Sequence, residues 1–123
     1  MMTCIIDVFS IDVEMDMTEP LDILDSESFT FILDKATLDC VTCSDQYGKK
    51  TQQYLENLHR ILAPGGTYLC VSHGRPETRL PQISSSNFKW QVETLKVNKK
   101  DDGGVGLVDQ EQFYYVYVMT KKY

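Results

Sequence analysis

Phe29-Thr30-Phe31-Ile32-Leu33-Asp34-Lys35-Ala36-Thr37-Leu38-Asp39 is an apolar run that stops on an acid and a base. Phe29 to Leu33 reads as a strand buried on both faces, as in the middle of a parallel sheet. Asp34 and Lys35 stand at its carboxyl end, which is where ligands sit in open α/β sheets. One stretch therefore predicts both a core strand and the wall of a pocket. The glycine-rich loop that would cradle a phosphate or cofactor does not precede it.

Beyond Ser44 the hydrophobic period changes. Thr51, Tyr54, Leu55, Leu58, Ile61 and Leu62 recur at helical spacing, which predicts a helix with one apolar face. Gln52, Gln53, Glu56 and Arg60 take the polar face. Ala63-Pro64-Gly65-Gly66 ends the helix, because proline cannot continue the ladder and glycine permits the reversal. Thr67 to Ser72 is a second buried strand. Strand, helix, tight turn and strand make a βαβ unit, which is right-handed and parallel.

Upstream, Phe9, Ile11, Val13 and Met15 alternate with Ser10, Asp12 and Glu14, the pattern of a half-exposed edge strand. Thr18 to Ser28 is a polar turn region containing Pro20. Downstream, His73 to Pro81 reads as an irregular polar segment. Phe88 to Val97 alternates as a strand, with a slip near Thr94 that predicts a bulge or twist. Phe113 to Thr120 is apolar on both faces, as a central strand should be, and pairs with Phe88–Val97 as an antiparallel hairpin across a long loop. The fold class is α/β, with parallel strands followed by a C-terminal antiparallel hairpin. No repeat or linker divides residues 1–123, so they form a single domain.

The 123 residues carry a net charge of −6. That balance argues against nucleic acid as a direct partner, since backbone binding needs clustered Lys and Arg. Basic residues cluster only as the pairs Lys49-Lys50, Lys99-Lys100 and Lys121-Lys122. No apolar run is long enough to cross a bilayer, and Met1 to Phe9 lacks the features of a secretory leader. These features predict a cytoplasmic protein with reduced thiols at Cys4, Cys40, Cys43 and Cys70. Cys70 lies within an apolar strand and reads as a small core residue. Cys40-Val41-Thr42-Cys43 has C-x-x-C spacing. A redox motif would need the pair to open a helix in a thioredoxin-like setting, and zinc would need two more ligands. His59 and His73 are too isolated to supply them, so the pair reads as partly buried thiols and no metal site is expected.

The order and the local sequence together resemble the second half of the seven-stranded, class I S-adenosylmethionine-dependent methyltransferases, a Rossmann-like family. The resemblance rests on Leu33-Asp34-Lys35-Ala36-Thr37-Leu38-Asp39, on the block from Leu58 to Leu69, and on Tyr117-Val118-Met119-Thr120-Lys121. The segment from Ser72 to Arg79 is also similar to eukaryotic methyltransferase-like proteins related to the elongation-factor-1-alpha lysine methyltransferases. The similarity runs from about Ile11 to Lys121. It implies S-adenosylmethionine as cofactor, with Glu14 to Met17 as the third family strand running into its cofactor loop. Asp16 would accept a hydrogen bond from the adenine amino group, and Met17 would offer its backbone N–H to a ring nitrogen. Leu33, Asp34 and Lys35 would lie beside the methionine part of the cofactor and the entering nucleophile. A lysine ammonium must lose a proton before it attacks, and Asp34 would orient the amine or receive that proton. His73 and Arg75 would line the substrate entrance.

The sequence departs from the family at its start. Gly65-Gly66 and Gly103-Gly104 come too late to be the cofactor loop, and neither pair follows a strand and opens a helix. Cys4-Ile5-Ile6-Asp7 looks like the end of the second family strand, which would make Asp7 the acid for the ribose hydroxyls. The expectation is a truncated methyltransferase-like domain whose parent methylates a protein lysine and which alone binds cofactor weakly or not at all. The alternative is a non-catalytic interaction module that associates with a partner, or with itself, through exposed strand edges.

Overall fold

A computed structural model describes residues 25–98 and 113–123, together with the backbone of two short strands before them. Those strands, β1 (Thr3–Cys4) and β2 (Val13–Glu14), pair antiparallel as a sheet of their own, with Cys4 opposite Val13. This corrects the expected layout, in which both would lie in the parallel sheet. The connection explains it: so short a link allows a chain reversal, whereas a parallel pair needs a crossover of about a dozen residues or more. The rest of the Phe9–Met15 segment, together with Asp7, Asp16 and Met17, lies outside the described residues.

The main sheet has four strands in the order β3-β4-β6-β5. They are β3 (Phe29–Lys35), β4 (Leu62–Ser72), β5 (Trp90–Asn98) and β6 (Phe113–Lys121). β3 and β4 run parallel, while β6 is antiparallel to both β4 and β5. The predicted βαβ unit and C-terminal hairpin are therefore both present. Between Phe29 and Phe31 the register shifts, from Leu62 to Thr67, so that Ala63-Pro64-Gly65-Gly66 bulges out of the ladder. The bulge expected near Thr94 is absent: β5 keeps continuous register from Trp90 to Asn98. The change in hydrophobic phase has another cause. On the helix side Trp90 is buried and Val92 half-buried, whereas Thr94 and Lys96 are exposed, so the far half of the strand has no packing layer to obey.

Three helices cover one face of this sheet. In α2 (Lys49–Ile61), Thr51, Tyr54, Leu55, Leu58 and Ile61 are all buried, as their spacing predicts. They pack with Ile32, Tyr68, Cys70, Tyr117 and Met119 from the strands, and with Leu38 and Val41 from α1 (Thr37–Cys43). Burying one Leu- or Ile-sized side chain contributes about 1.5–3 kcal/mol, so this layer is the main source of cohesion. Asp45 Oδ2 accepts the Thr51 N–H at 2.8 Å, satisfying one of the free donors at the start of α2. The segment predicted to be irregular contains α3 (Pro76–Ile83). Pro81 argued against a helix because it removes an internal donor. Pro76 at the first turn suits one, and burial of Arg79 and Ile83 holds this short helix in place.

β3 also differs from expectation. Ile32 and Asp34 are buried, but Phe31 is 36% exposed. Phe31, Leu33 and Lys35 share the face opposite the helices, and among the described strands β3 pairs only with β4. It is an edge strand with one covered face.

The C-terminal end of α2 is held by two groups. Lys121 Nζ donates to the carbonyls of His59 and Leu62, both at 2.8 Å, which places a cation on the negative end of the helix dipole. His59 Nε2 accepts the Lys89 N–H at 3.0 Å, and its ring packs against Phe88 and Trp90. Burial, then the charges of Lys121 and Lys89, lower the His59 pKa below its ordinary value. Across that window the unfolded chain binds more protons than the folded one, so stability rises with pH. The stabilisation is complete above the unfolded-state pKa of about 6.5 and is lost as pH falls through the folded-state value. The thermal midpoint should drop between pH 7.5 and pH 5.5. In His59→Gln that part of the slope should disappear, which melting curves of the two proteins at matched pH will test.

Candidate functional site

The carboxyl ends of β3 and β4 carry the candidate site. Ala36 turns the chain from β3 into α1 in the left-handed region, with φ 65°, and its N–H donates to Val71 O at 2.9 Å. This bond extends the parallel ladder by one residue past Lys35. The conformation costs about 1–2 kcal/mol for a residue with a Cβ.

Asp34 lies just before that turn and is fully buried. Its Oδ1 accepts the N–H groups of Thr37, at 2.8 Å, and Leu38, at 3.3 Å. Its Oδ2 accepts the hydroxyls of Tyr54, at 2.7 Å, and Tyr68, at 2.6 Å. A carboxylate has about four acceptor positions, and all are taken. Burial raises the Asp34 pKa, and these four hydrogen bonds only partly oppose the rise. The same burial, with the Asp34 charge next, drives the Tyr68 hydroxyl pKa far upward, so Tyr68 remains a donor.

The pleat sends Asp34 and Lys35 to opposite faces. Lys35 is exposed at the strand tip, and Leu33 lies half-buried on the same face. The structure therefore does not bring the Asp34 carboxylate and the Lys35 side chain together. His73, one strand over, is exposed, as is Arg75.

A second cluster, which the sequence did not reveal, lies beside the first. Asp39 Oδ1 accepts a short hydrogen bond from Ser72 Oγ and a charged bond from Arg79 Nη2 at 2.7 Å. Its Oδ2 accepts the His73 N–H at 2.8 Å. Burial works against the Asp39 charge, but the bonds from Ser72, His73 and Arg79, with the Arg79 charge, outweigh it and lower the pKa. Arg79 is only 7% exposed; its Nε donates to Ser72 Oγ at 3.1 Å and its Nη2 to Thr42 Oγ1 at 3.2 Å. Tyr117 donates to Gly74 O at 2.6 Å. A Cβ at Gly74 would stand 2.3 Å from Arg79 Nε, so the guanidinium's close approach requires glycine there. α1, α3, β4 and β6 thus pin the loop His73–Arg75. The sequence signal was faint: Arg79 falls in the segment read as irregular and polar, and nothing local links it to Asp39.

Cys40 and Cys43 are both exposed on the outer face of α1, which corrects the reading as partly buried thiols. Cys70 is buried, and desolvation followed by the Asp34 charge pushes its thiol pKa up. Among the described residues no group of three His, Cys, Asp or Glu side chains could hold a metal ion. No described helix is long and apolar enough to cross a membrane.

No protein-family model matches the chain. Two curated relatives do: the eEF1A lysine and N-terminal methyltransferases of Bos taurus and Homo sapiens. Each is 32% identical, over 116 and 113 residues respectively, and each match covers 88% of this chain. The chain spans only 16% of the length of these relatives. Among solved structures, a Thermus thermophilus protein described as a DNA modification methylase, in complex with S-adenosyl-L-methionine, superposes with a TM-score of 0.56 at 13% identity. That match covers 88% of this chain and 51% of the other. A chain from the complex between the Haloferax volcanii Trm112 methyltransferase activator and its methyltransferase gives a TM-score of 0.62 at 13% identity. It covers 95% of this chain and 64% of the other.

The fold is the Rossmann-like sheet of the class I S-adenosylmethionine-dependent methyltransferases, with β6 inserted antiparallel between β4 and β5. By sequence the chain is a relative of that family, similar over 88% of its own length to eEF1A lysine and N-terminal methyltransferases.

The strained turn gives a direct prediction. Ala36→Gly relieves the left-handed strain and gives back part of the gain as unfolded-chain entropy, leaving a net stabilisation of about 0.5–1 kcal/mol. Urea unfolding should show a higher midpoint at unchanged slope.

Proposed function

We propose that this chain supplies the C-terminal wall of a protein-lysine methyltransferase that uses S-adenosylmethionine. The observation that carries the reading is the β3-β4-β6-β5 order, found on a sequence similar to lysine methyltransferases. In this reading Leu33 and Lys35 face the methyl-transfer crevice from the tip of β3, while His73 and Arg75 form the substrate lip on the adjacent strand end. Asp16 and Met17 are assigned to the adenine. Asp34 acts as a positioning residue: its bonds to Thr37 N and Leu38 N hold the turn that presents Lys35, and its acceptor positions leave none for an incoming amine. A protein partner completing the module is consistent with the Haloferax complex.

The described residues do not by themselves fit the cofactor. Their one glycine between a strand and a helix, Gly74 in the β4–α3 loop, stands alone with the Arg79 side chain packed against it, and the one carboxylate at the β3 end is turned into the core. No methyl-transfer step is assigned to them. Isothermal titration of the chain with S-adenosylmethionine should give no heat of saturable binding at micromolar concentrations. A micromolar dissociation constant would sink this reading.

A second reading has its own observation. The face of the sheet away from the helices carries Phe31, Leu33, Leu69, Val71, Val116 and Val118, all partly exposed, next to the outer edge of β3. An apolar face beside an edge strand suits an interaction module. Light scattering after size exclusion separates the two: a stable oligomer supports the module, and a monomer supports the wall of a larger enzyme.

A further inference from the structure

Cys40 and Cys43 are three residues apart on α1, and Leu38 and Val41 turn the opposite side of that helix into the core. Residues at this spacing are surface neighbours, with Cβ atoms about 5–6 Å apart. A disulfide needs Cβ atoms about 3.5–4.5 Å apart, so closure requires the last helical turn to tighten. That turn is held loosely. Ser44 N–H reaches Cys40 O at 3.4 Å, Asp45 N–H reaches Thr42 O at 3.4 Å, and Ser44 Oγ bridges to Cys40 O and Val41 O at 3.3 and 3.2 Å. Bonds this long are near the limit of useful geometry, and distortion there is cheap.

We propose that Cys40 and Cys43 form a redox-sensitive dithiol that closes to an intrachain disulfide under hydroperoxide and loosens the loop His73–Arg75. In the first step one sulfur attacks the peroxide oxygen. An S–O bond forms, the O–O bond breaks and water leaves. In the second step the other sulfur displaces the sulfenic oxygen as water and the S–S bond forms. The two thiols together lose two electrons and two protons, and hydrogen peroxide becomes two waters.

The link to the loop runs through the residues inside the ring. Closure encloses Val41 and Thr42. Thr42 Oγ1 donates to Asp39 O at 3.0 Å and accepts from Arg79 Nη2 at 3.2 Å. Arg79 in turn binds Asp39, whose other oxygen holds the His73 N–H. Drawing Cys40 and Cys43 together displaces Thr42 and weakens the anchor of the loop at its base. The exposed dithiol is thus wired to the strand-end lip by three hydrogen-bonded side chains. This rests on geometry alone and holds whether or not the chain is catalytic.

The test uses the full chain in a Cys4→Ser background, leaving buried Cys70 as an internal reference. After titration with hydrogen peroxide, intact mass should show the loss of two hydrogens and of two alkylatable thiols. Tandem spectra should lack fragments between Cys40 and Cys43 until reductant is added. Cys40→Ser and Cys43→Ser should each stop at a sulfenic acid trapped by a 1,3-dione. Amide hydrogen exchange at His73 should rise several-fold in the oxidised form and recover on reduction, with no change in the double serine variant. Independent over-oxidation of both sulfurs, bridging between chains, or unaltered His73 exchange in the bridged form would each overturn the proposal.

Discussion

The carboxylate of Asp34 is the constraint on which the strand-end architecture depends. It stands where the parallel strand stops, and it gathers donors from α1, α2 and β4. Burial raises its pKa, so its hydrogen bonds do not fully offset the loss of water around the charge. The group is therefore no simple source of stability. Its acceptor positions nevertheless satisfy two turn amides and two buried tyrosine hydroxyls. Stranding those donors would cost about 1–3 kcal/mol each. The turn at Ala36, the start of α1 and the direction in which Lys35 points all follow from where those bonds can be made.

A second network extends this constraint sideways. Asp39, in the first turn of α1, joins Ser72, His73 N–H and Arg79. Here the hydrogen bonds outweigh burial and the carboxylate pKa is lowered, the opposite balance from Asp34. The two acids of one short segment divide the work: Asp34 ties the strand to the core, and Asp39 ties the helix to the loop across the crevice. The substrate-side surface proposed at Lys35, His73 and Arg75 is thus framed from behind by buried and half-buried groups.

Much of this was legible in the sequence. The α2 face declared itself through Tyr54, Leu55, Leu58 and Ile61, because helical burial repeats at a fixed period. The parallel unit and the central position of Phe113–Thr120 followed from apolar runs and turn residues. The failures have specific causes. Pro81 hid α3, since propensity cannot see that Arg79 and Ile83 are buried. The phase change in β5 looked like a bulge because periodicity assumes a packing partner, and the strand outruns its helices after Val92, where Thr94 and Lys96 are exposed. The Asp39–Arg79 pair joins residues far apart in the chain, and no local pattern marks it. The burial of the Asp34 side chain, by contrast, had a local signal, because the residue shares its pleat face with buried Ile32.

Asp34 is a hub consumed by the fold. Urea unfolding of Asp34→Ala measures this most directly, because the variant leaves Tyr54, Tyr68 and the two turn amides without their acceptor. A loss of about 3 kcal/mol or more is predicted, as for other buried charged partners removed singly. A change within about 0.5 kcal/mol, the range of an ordinary surface substitution, would contradict it.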